Sequence, residues 1–135
     1  LRASRGFASV LPVFIHDETR INPFPLRGAA LAWKHESLRN FGASLASVGS
    51  GLALRRGDPA AELLAVVEEL RGQQAGQPHP TTVVFNRRCE PWLHEQDEAV
   101  AKRLRSAGCK VETFAANVLY EPWELRLIER WQDWR

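Results

Sequence analysis

The chain has 135 residues, of which 44% are hydrophobic, and a formal net charge of +2. This length is typical of one domain and is long enough for a buried core. Its 18 basic and 16 acidic residues are interspersed, so the dense basic stripe of a self-sufficient nucleic-acid binder is absent. No apolar run approaches the ~20 residues needed to cross a bilayer, and we therefore expect a soluble protein without a membrane partner.

Cysteine, histidine and serine residues show no pattern typical of a metal site or of nucleophilic catalysis. Cys89 and Cys109 are isolated, which favours free thiols over a disulfide or a metal site. The four histidines have spacings that suit no metal motif. The serines of the first predicted helix lack a Gly-x-Ser-x-Gly elbow. The sequence therefore predicts no metal ligand and no catalytic residue.

Apolar runs that alternate with amphipathic segments predict strands and helices in turn. The predicted strands are residues 11–16, 52–55, 81–85 and 110–114. The predicted helices are residues 29–48, a segment that begins at Pro59, and residues 91–107. Four strands alternating with three helices require right-handed crossovers and hence a parallel sheet. The fold class expected is α/β, with a Rossmann-like, doubly wound parallel sheet.

Apolar residues at helical spacing predict which face of each helix is buried. The inner face of the first helix is expected to carry Trp33, Leu38, Phe41, Leu45 and Val48. The second helix is expected to bury Leu63, Val66, Val67 and Leu70, and the third Leu93, Val100 and Leu104. Asp58 is a good N-cap for the second helix, with Pro59 at its first position. The tail, residues 121–135, predicts a further amphipathic helix with Trp123, Leu127, Trp131 and Trp134 on one face.

Polar side chains follow the first and third predicted strands. Asp17 follows the first strand, and Asn86, Arg87 and Glu90 follow the third. Because the carboxyl ends of parallel strands meet at one edge of a sheet, we expect these side chains to project into one crevice. Amide and carboxylate groups can hydrogen-bond to the edge of a planar heterocycle, while Trp92 or Phe24 could stack on its face. This grouping indicates a small-chromophore pocket.

A structural interpretation of the same residues stays open at this point. Asn86 and Glu90 could satisfy backbone groups of the turn and cap the helix that follows. Arg55, Arg56 and Asp58 similarly favour turn and cap roles over ligand contacts. A dinucleotide fingerprint needs three glycines, and the Arg-Arg-Gly-Asp-Pro turn has one, so binding of NAD or ATP is not expected.

Three motifs together resemble the N-terminal α/β domain of the DNA photolyase/cryptochrome family. They are Arg-Gly-Asp-Pro at 56–59, Asn-Arg-x-x-Glu-Pro at 86–91 and Leu-x-Glu-Pro-Trp-Glu at 119–124, in the order the family shows. The resemblance runs from about residue 11 to residue 124. We interpret residues 1–124 as a partial domain of this family and residues 125–135 as a divergent C-terminal tail.

The resemblance implies an accessory antenna chromophore, either a folate (methenyltetrahydrofolate) or a deazaflavin. The positions that match the family's binding region are Asp17, Asn86, Arg87, Glu90 and Leu93. In this family a larger helical domain carries the FAD and contacts DNA, so flavin and DNA are expected only through such a domain. The implied role is light harvesting for DNA repair or for blue-light sensing, and whether the chain is itself part of an enzyme stays open.

Two departures from the family pattern shape these expectations. The first strand of the family, with its Trp-Phe-Arg-x-Asp-Leu-Arg motif, has no counterpart, and the match fades after Glu124. We therefore expect truncation at both ends, with the central strand of the order 3-2-1-4-5 missing. The alternatives are a non-catalytic nucleotide-binding α/β module or a non-functional fragment. Nucleus, cytoplasm and chloroplast all stay open as locations.

Overall fold

The structure is a computed structural model that describes residues 9–17, 26–73, 81–116, 118 and 120–121. Strands and helices alternate along the chain as the sequence predicts. The elements are β1 (Val13–His16), α1 (Gly28–Ser47), β2 (Ala53–Arg56), α2 (Pro59–Gln73), β3 (Thr82–Asn86), α3 (Pro91–Ser106) and β4 (Lys110–Phe114). The predicted tail helix lies outside the described residues, apart from Glu121.

The contacts of the chain divide it into two units, Leu1–Gln73 and Gln74–Arg135, each with its own β-α-β motif. In the first unit β1 pairs with β2 in parallel, and His16 lies opposite Arg56. In the second unit β3 pairs with β4 in parallel, and Asn86 lies opposite Phe114. Successive strands joined by a helix can pair in this way, whereas a hairpin would pair them antiparallel. The prediction of an α/β fold with parallel strands is confirmed.

Without its central strand, the expected order 3-2-1-4-5 leaves two pairs of neighbours, 3-2 and 4-5. The pairs β1–β2 and β3–β4 correspond to these two. The described strands form two separate two-stranded sheets, β1–β2 and β3–β4. Each strand of a two-stranded sheet pairs along one edge, so the other edge of β1 and of β3 is not paired with a described strand.

The turn that leads from β2 into α2 is built by the Arg-Gly-Asp-Pro motif. Gly57 has a φ of +141°, a conformation that side chains disfavour. Asp58 then caps α2, because its Oδ2 atom accepts a hydrogen bond from the main-chain N–H of Ala61 at 2.8 Å. Val66 and Val67 of α2 are buried as predicted. Asp58 is therefore confirmed as a cap residue.

The buried face predicted for α1 is only partly correct. Leu38 and Leu45 are half-buried, but Trp33 and Val48 are each 75% exposed and Phe41 is 50% exposed. At about 100° per residue the five predicted residues span one arc of roughly 140°, with Leu38 and Leu45 at one end and Phe41, Val48 and Trp33 extending away from them. Two strands ~4.8 Å apart are narrower than a helix ~10 Å across, so β1–β2 can cover only one helix face. Spacing alone predicted burial across the whole arc, of which only the end with Leu38 and Leu45 is covered.

The core of the second unit lies along one side of α3. Val100, Ala101 and Leu104 are buried, and Leu104 is fully enclosed. Gly108 ends the helix with a φ of +76°, and the N–H of Cys109 returns to the carbonyl of Leu104 at 3.0 Å. Asp97 is buried on this same apolar face. A buried carboxylate needs a partner, and that partner comes from the loop before α3.

Candidate functional site

Residues 86–90 connect β3 to α3, and we call them the corner. Asn86 ends β3 and is exposed, and Glu90 is exposed immediately before α3. The carbonyl of Glu90 accepts hydrogen bonds from the N–H groups of Leu93 and His94, at 2.9 and 2.8 Å. Its carboxylate makes no capping hydrogen bond. The structural interpretation supposed that the side chain of Glu90 caps α3. The structure shows that it does not.

Arg87 is tied to β4 and to the segment that follows β4. Its Nε and Nη2 atoms donate to the two carboxylate oxygens of Glu121, each at 2.7 Å. Its Nη1 atom donates to the carbonyl and the hydroxyl of Thr113, at 3.0 and 2.9 Å. The main-chain N–H of Arg87 donates to the carbonyl of Phe114 at 2.9 Å. The guanidinium is therefore engaged with protein groups.

Arg88 is tied to α3, on the other side of the corner. Its main-chain N–H donates to Asp97 at 3.1 Å, and its Nε atom lies 3.1 and 3.2 Å from the two carboxylate oxygens. Its Nη2 atom donates to Asp97 and, at 3.2 Å, to Gln96. The Asp97 side chain is only 9% exposed. A buried carboxylate is thereby neutralised and the loop is fixed to the helix.

The predicted site residues fall in both units. Asp17 directly follows β1 in the first unit and is half-buried. Asn86, Arg87, Glu90 and Leu93 lie in the second unit, within eight consecutive residues. Leu93 is half-buried in the first turn of α3. The corner thus brings four of the five residues together. That Asp17 lies at the same edge of the sheet as these four stays a prediction.

Sequence reasoning missed both ion pairs of the corner, although α3 carried a signal for one of them. Leu93, Asp97, Val100 and Leu104 follow the spacing of a single helix face. A carboxylate on an apolar face indicates a buried ion pair, and the nearest candidates are the two arginines before the helix. For Glu121 the sequence offered only its position in the third motif.

Two features are absent among the described residues, a membrane-spanning helix and a cluster of metal-ligating side chains. None of the helices in that part of the chain is long and apolar enough to span a bilayer. The same residues contain no group of three or more His, Cys, Asp or Glu side chains that could hold a metal ion.

The chain matches the family model described as DNA photolyase over residues 1–129. It is 33% identical over 117 residues to the deoxyribodipyrimidine photo-lyase of Agrobacterium fabrum, which covers 87% of this chain. It is 31% identical over 125 residues to cryptochrome-2 of Arabidopsis thaliana, which covers 93% of this chain. These matches span 22% and 19% of the two relatives, so the chain corresponds to about a fifth of their length.

A solved structure is similar over most of the chain. The crystal structure of a bacterial class III photolyase from Agrobacterium tumefaciens superposes with a TM-score of 0.67 at 32% identity. The match covers 86% of this chain and 22% of that protein. Together with the parallel β-α-β motifs, this similarity confirms the Rossmann-like class. Because the family model matches nearly the whole length, the chain belongs to the DNA photolyase family.

Proposed function

We propose that this chain is a light-harvesting domain, which binds an antenna chromophore, a folate or a deazaflavin, at the corner. The observation that carries the proposal is the exposure of Asn86 and Glu90 at the carboxyl end of β3. Ligands of open α/β sheets bind outside the carboxyl ends of the strands. Neither side chain forms a hydrogen bond with a described residue, so both amide and carboxylate groups are accessible to a ligand.

The chemistry of the corner suits a planar heterocycle. The amide of Asn86 offers both a donor and an acceptor, and the carboxylate of Glu90 offers acceptors. Together they can hydrogen-bond to the polar atoms at the edge of a heterocyclic ring. Trp92 and Leu93 lie in the first turn of α3 and are half-buried, which leaves apolar surface beside the polar groups. Since the guanidinium of Arg87 is engaged with Glu121 and Thr113, Arg87 would act by shaping the corner.

The role that this proposal implies also rests on the relatives. Those relatives are named as a photo-lyase and as cryptochromes. We infer that the antenna passes absorbed light energy to a flavin in a protein that repairs DNA or senses blue light. FAD and DNA would then be bound outside this domain, and the chain alone would not bind FAD.

Fluorescence titration of the 135-residue chain with methenyltetrahydrofolate and with a deazaflavin tests the proposal. One of the two should bind, and Asn86→Ala and Glu90→Ala should each weaken its binding by about 1–3 kcal/mol, because a polar atom of the ligand is left unpaired. This loss corresponds to a rise of roughly 5- to 150-fold in Kd. Asn40→Ala and Glu98→Ala, which remove exposed side chains of α1 and α3, should leave the Kd unchanged.

Three outcomes would contradict the proposal. Folded chain that binds neither chromophore would leave Asn86 and Glu90 without a ligand role. Binding that is indifferent to both alanine variants would place the chromophore elsewhere. Tight binding of ATP or FAD by the same chain would instead favour the nucleotide-binding alternative.

A further inference from the structure

The two arginines inside the corner hold it from opposite sides. Arg87 contacts β4 and the segment after it, through Thr113 and Glu121. Arg88 contacts α3, through Asp97. Adjacent residues therefore connect the corner to the two neighbouring parts of the second unit. Asn86, directly before the two arginines, and Glu90, two residues after Arg88, are exposed.

Burial makes the acidic partners of these arginines unusual. The Glu121 side chain is 4% exposed and the Asp97 side chain is 9% exposed, whereas Arg87 and Arg88 are 25% and 42% exposed. A carboxylate is rarely buried unless it is paired, so each of these two is held in place by its arginine. The bidentate pairing of Arg87 with Glu121 also fixes the plane of the guanidinium.

Main-chain hydrogen bonds transmit this order to the corner backbone. The N–H of Arg87 is bound to Phe114, and the N–H of Arg88 is bound to Asp97. The carbonyl of Glu90 is bound within the first turn of α3. The backbone that carries Asn86 and Glu90 is therefore anchored at three successive points. A ligand that meets such a backbone loses less free energy to ordering than one that meets a free loop.

We propose that Glu121 and Asp97 are positioning residues for the chromophore site. Neither contacts the ligand; Glu121 acts through Arg87 and Asp97 acts through Arg88, so that Asn86 and Glu90 keep a fixed spacing. The effect on ligand binding rests on the proposed function, but the ordering of the corner does not. Glu121 lies 34 residues after Arg87, so the third motif contributes to a site formed mainly by the second.

Hydrogen exchange of the ligand-free chain tests the ordering. Glu121→Gln and Asp97→Asn keep side-chain shape and remove the charge. We expect the amides of residues 87–90 to exchange at least 10-fold faster in each variant, with exchange in α1 unchanged. Glu98→Gln, an exposed carboxylate on α3, is the matched control and should leave all rates unchanged. Unchanged corner exchange in both variants would overturn the proposal.

The Kd for the chromophore distinguishes a positioning role from a merely structural one, because a merely structural role would not change it once the folded fraction is taken into account. With Kd corrected for the folded fraction, Glu121→Gln should weaken binding at least 10-fold. In an Arg87→Gln background, which removes the charge that Glu121 pairs with, the same substitution should have little further effect, because Glu121 acts through Arg87. If the effects of the two substitutions on the free energy of binding add, the positioning role is overturned. An unchanged Kd for Glu121→Gln would overturn it as well. If the unsubstituted chain binds no chromophore, the proposed function fails, and the exchange rates alone decide whether the two acids order the corner.

Discussion

Lys34 of α1 donates a hydrogen bond to the Nδ1 atom of His16 at the end of β1, across 2.8 Å. The same ammonium lies 5.9 Å from the centre of the Phe14 ring. Both partners belong to β1, so this one side chain connects the first helix of the first unit to its sheet.

Removal of Lys34 should therefore loosen α1. We expect Lys34→Ala to lower the free energy of unfolding by about 1–2 kcal/mol, because a hydrogen bond and a cation–π contact are lost. Lys34→Leu should cost less, since its apolar side chain can still pack on Phe14. Urea denaturation measures both variants, and His35→Ala is the control because His35 is exposed on the same helix. Equal losses for Lys34→Ala and His35→Ala would contradict the connection.

The Arg88–Asp97 pair predicts an asymmetry between its two members. Arg88→Ala leaves a buried carboxylate without its cation and should cost about 3–5 kcal/mol of stability. Asp97→Asn should cost less, because no buried charge is left without a partner and the freed guanidinium is partly exposed. The midpoint of chemical denaturation measures the difference. Arg105→Ala, on an exposed position of α3, is the control and should change stability little. The reverse order of the two losses would show that Asp97 is not effectively buried.

Two glycines predict opposite effects of the same substitution. Gly57→Ala should destabilise the chain by about 1–3 kcal/mol, because its φ of +141° disfavours a side chain. A Cβ atom there would also lie 3.0 Å from the Oε1 atom of Glu62. Gly42→Ala, in the interior of α1 with nothing within 4 Å of its Cβ, should stabilise the chain by about 0.5–1 kcal/mol. Thermal unfolding of both variants checks the signs, and a stabilising Gly57→Ala would contradict the turn geometry.

Local signals predicted the elements well. Asp58 and Pro59 start α2 as their sequence indicated, and the spacing of Val66 and Val67 identified its buried face. These features depend on neighbours within one turn of helix, so periodicity and capping chemistry contain the needed information. Parallel pairing also followed, since a helix crossover permits little else.

Contacts between distant residues were harder to predict. Glu121 pairs with Arg87 across 34 residues, and no spacing rule connects two such positions. The exposure of Trp33 was missed for a related reason, because helical spacing shows that residues share a face but not which surface that face meets. Sequence reasoning therefore identified Asn86 and Glu90 as site residues more readily than the pairs that hold their backbone.

Chromophore binding should protect the corner from hydrogen exchange. At a chromophore concentration of 100 times its Kd, the closed site gains about 2.7 kcal/mol over its locally opened form, which slows exchange through local opening roughly 100-fold. We expect this protection at residues 86–90. We also expect it at Asp17, which the sequence predicts to share the ligand's edge of the sheet.

The comparison that interprets this protection is the Asn86→Ala variant at the same chromophore concentration. Its weaker binding should reduce protection at residues 86–90 and at Asp17 together, because both depend on one ligand. Amides in the middle of α1, such as that of Phe41, provide a reference far along the chain from each predicted contact. Protection at the corner without protection at Asp17 would remove Asp17 from the site and leave the ligand to the second unit. Protection at neither, with chromophore measurably bound, would mean that the ligand binds away from the carboxyl ends of both β1 and β3.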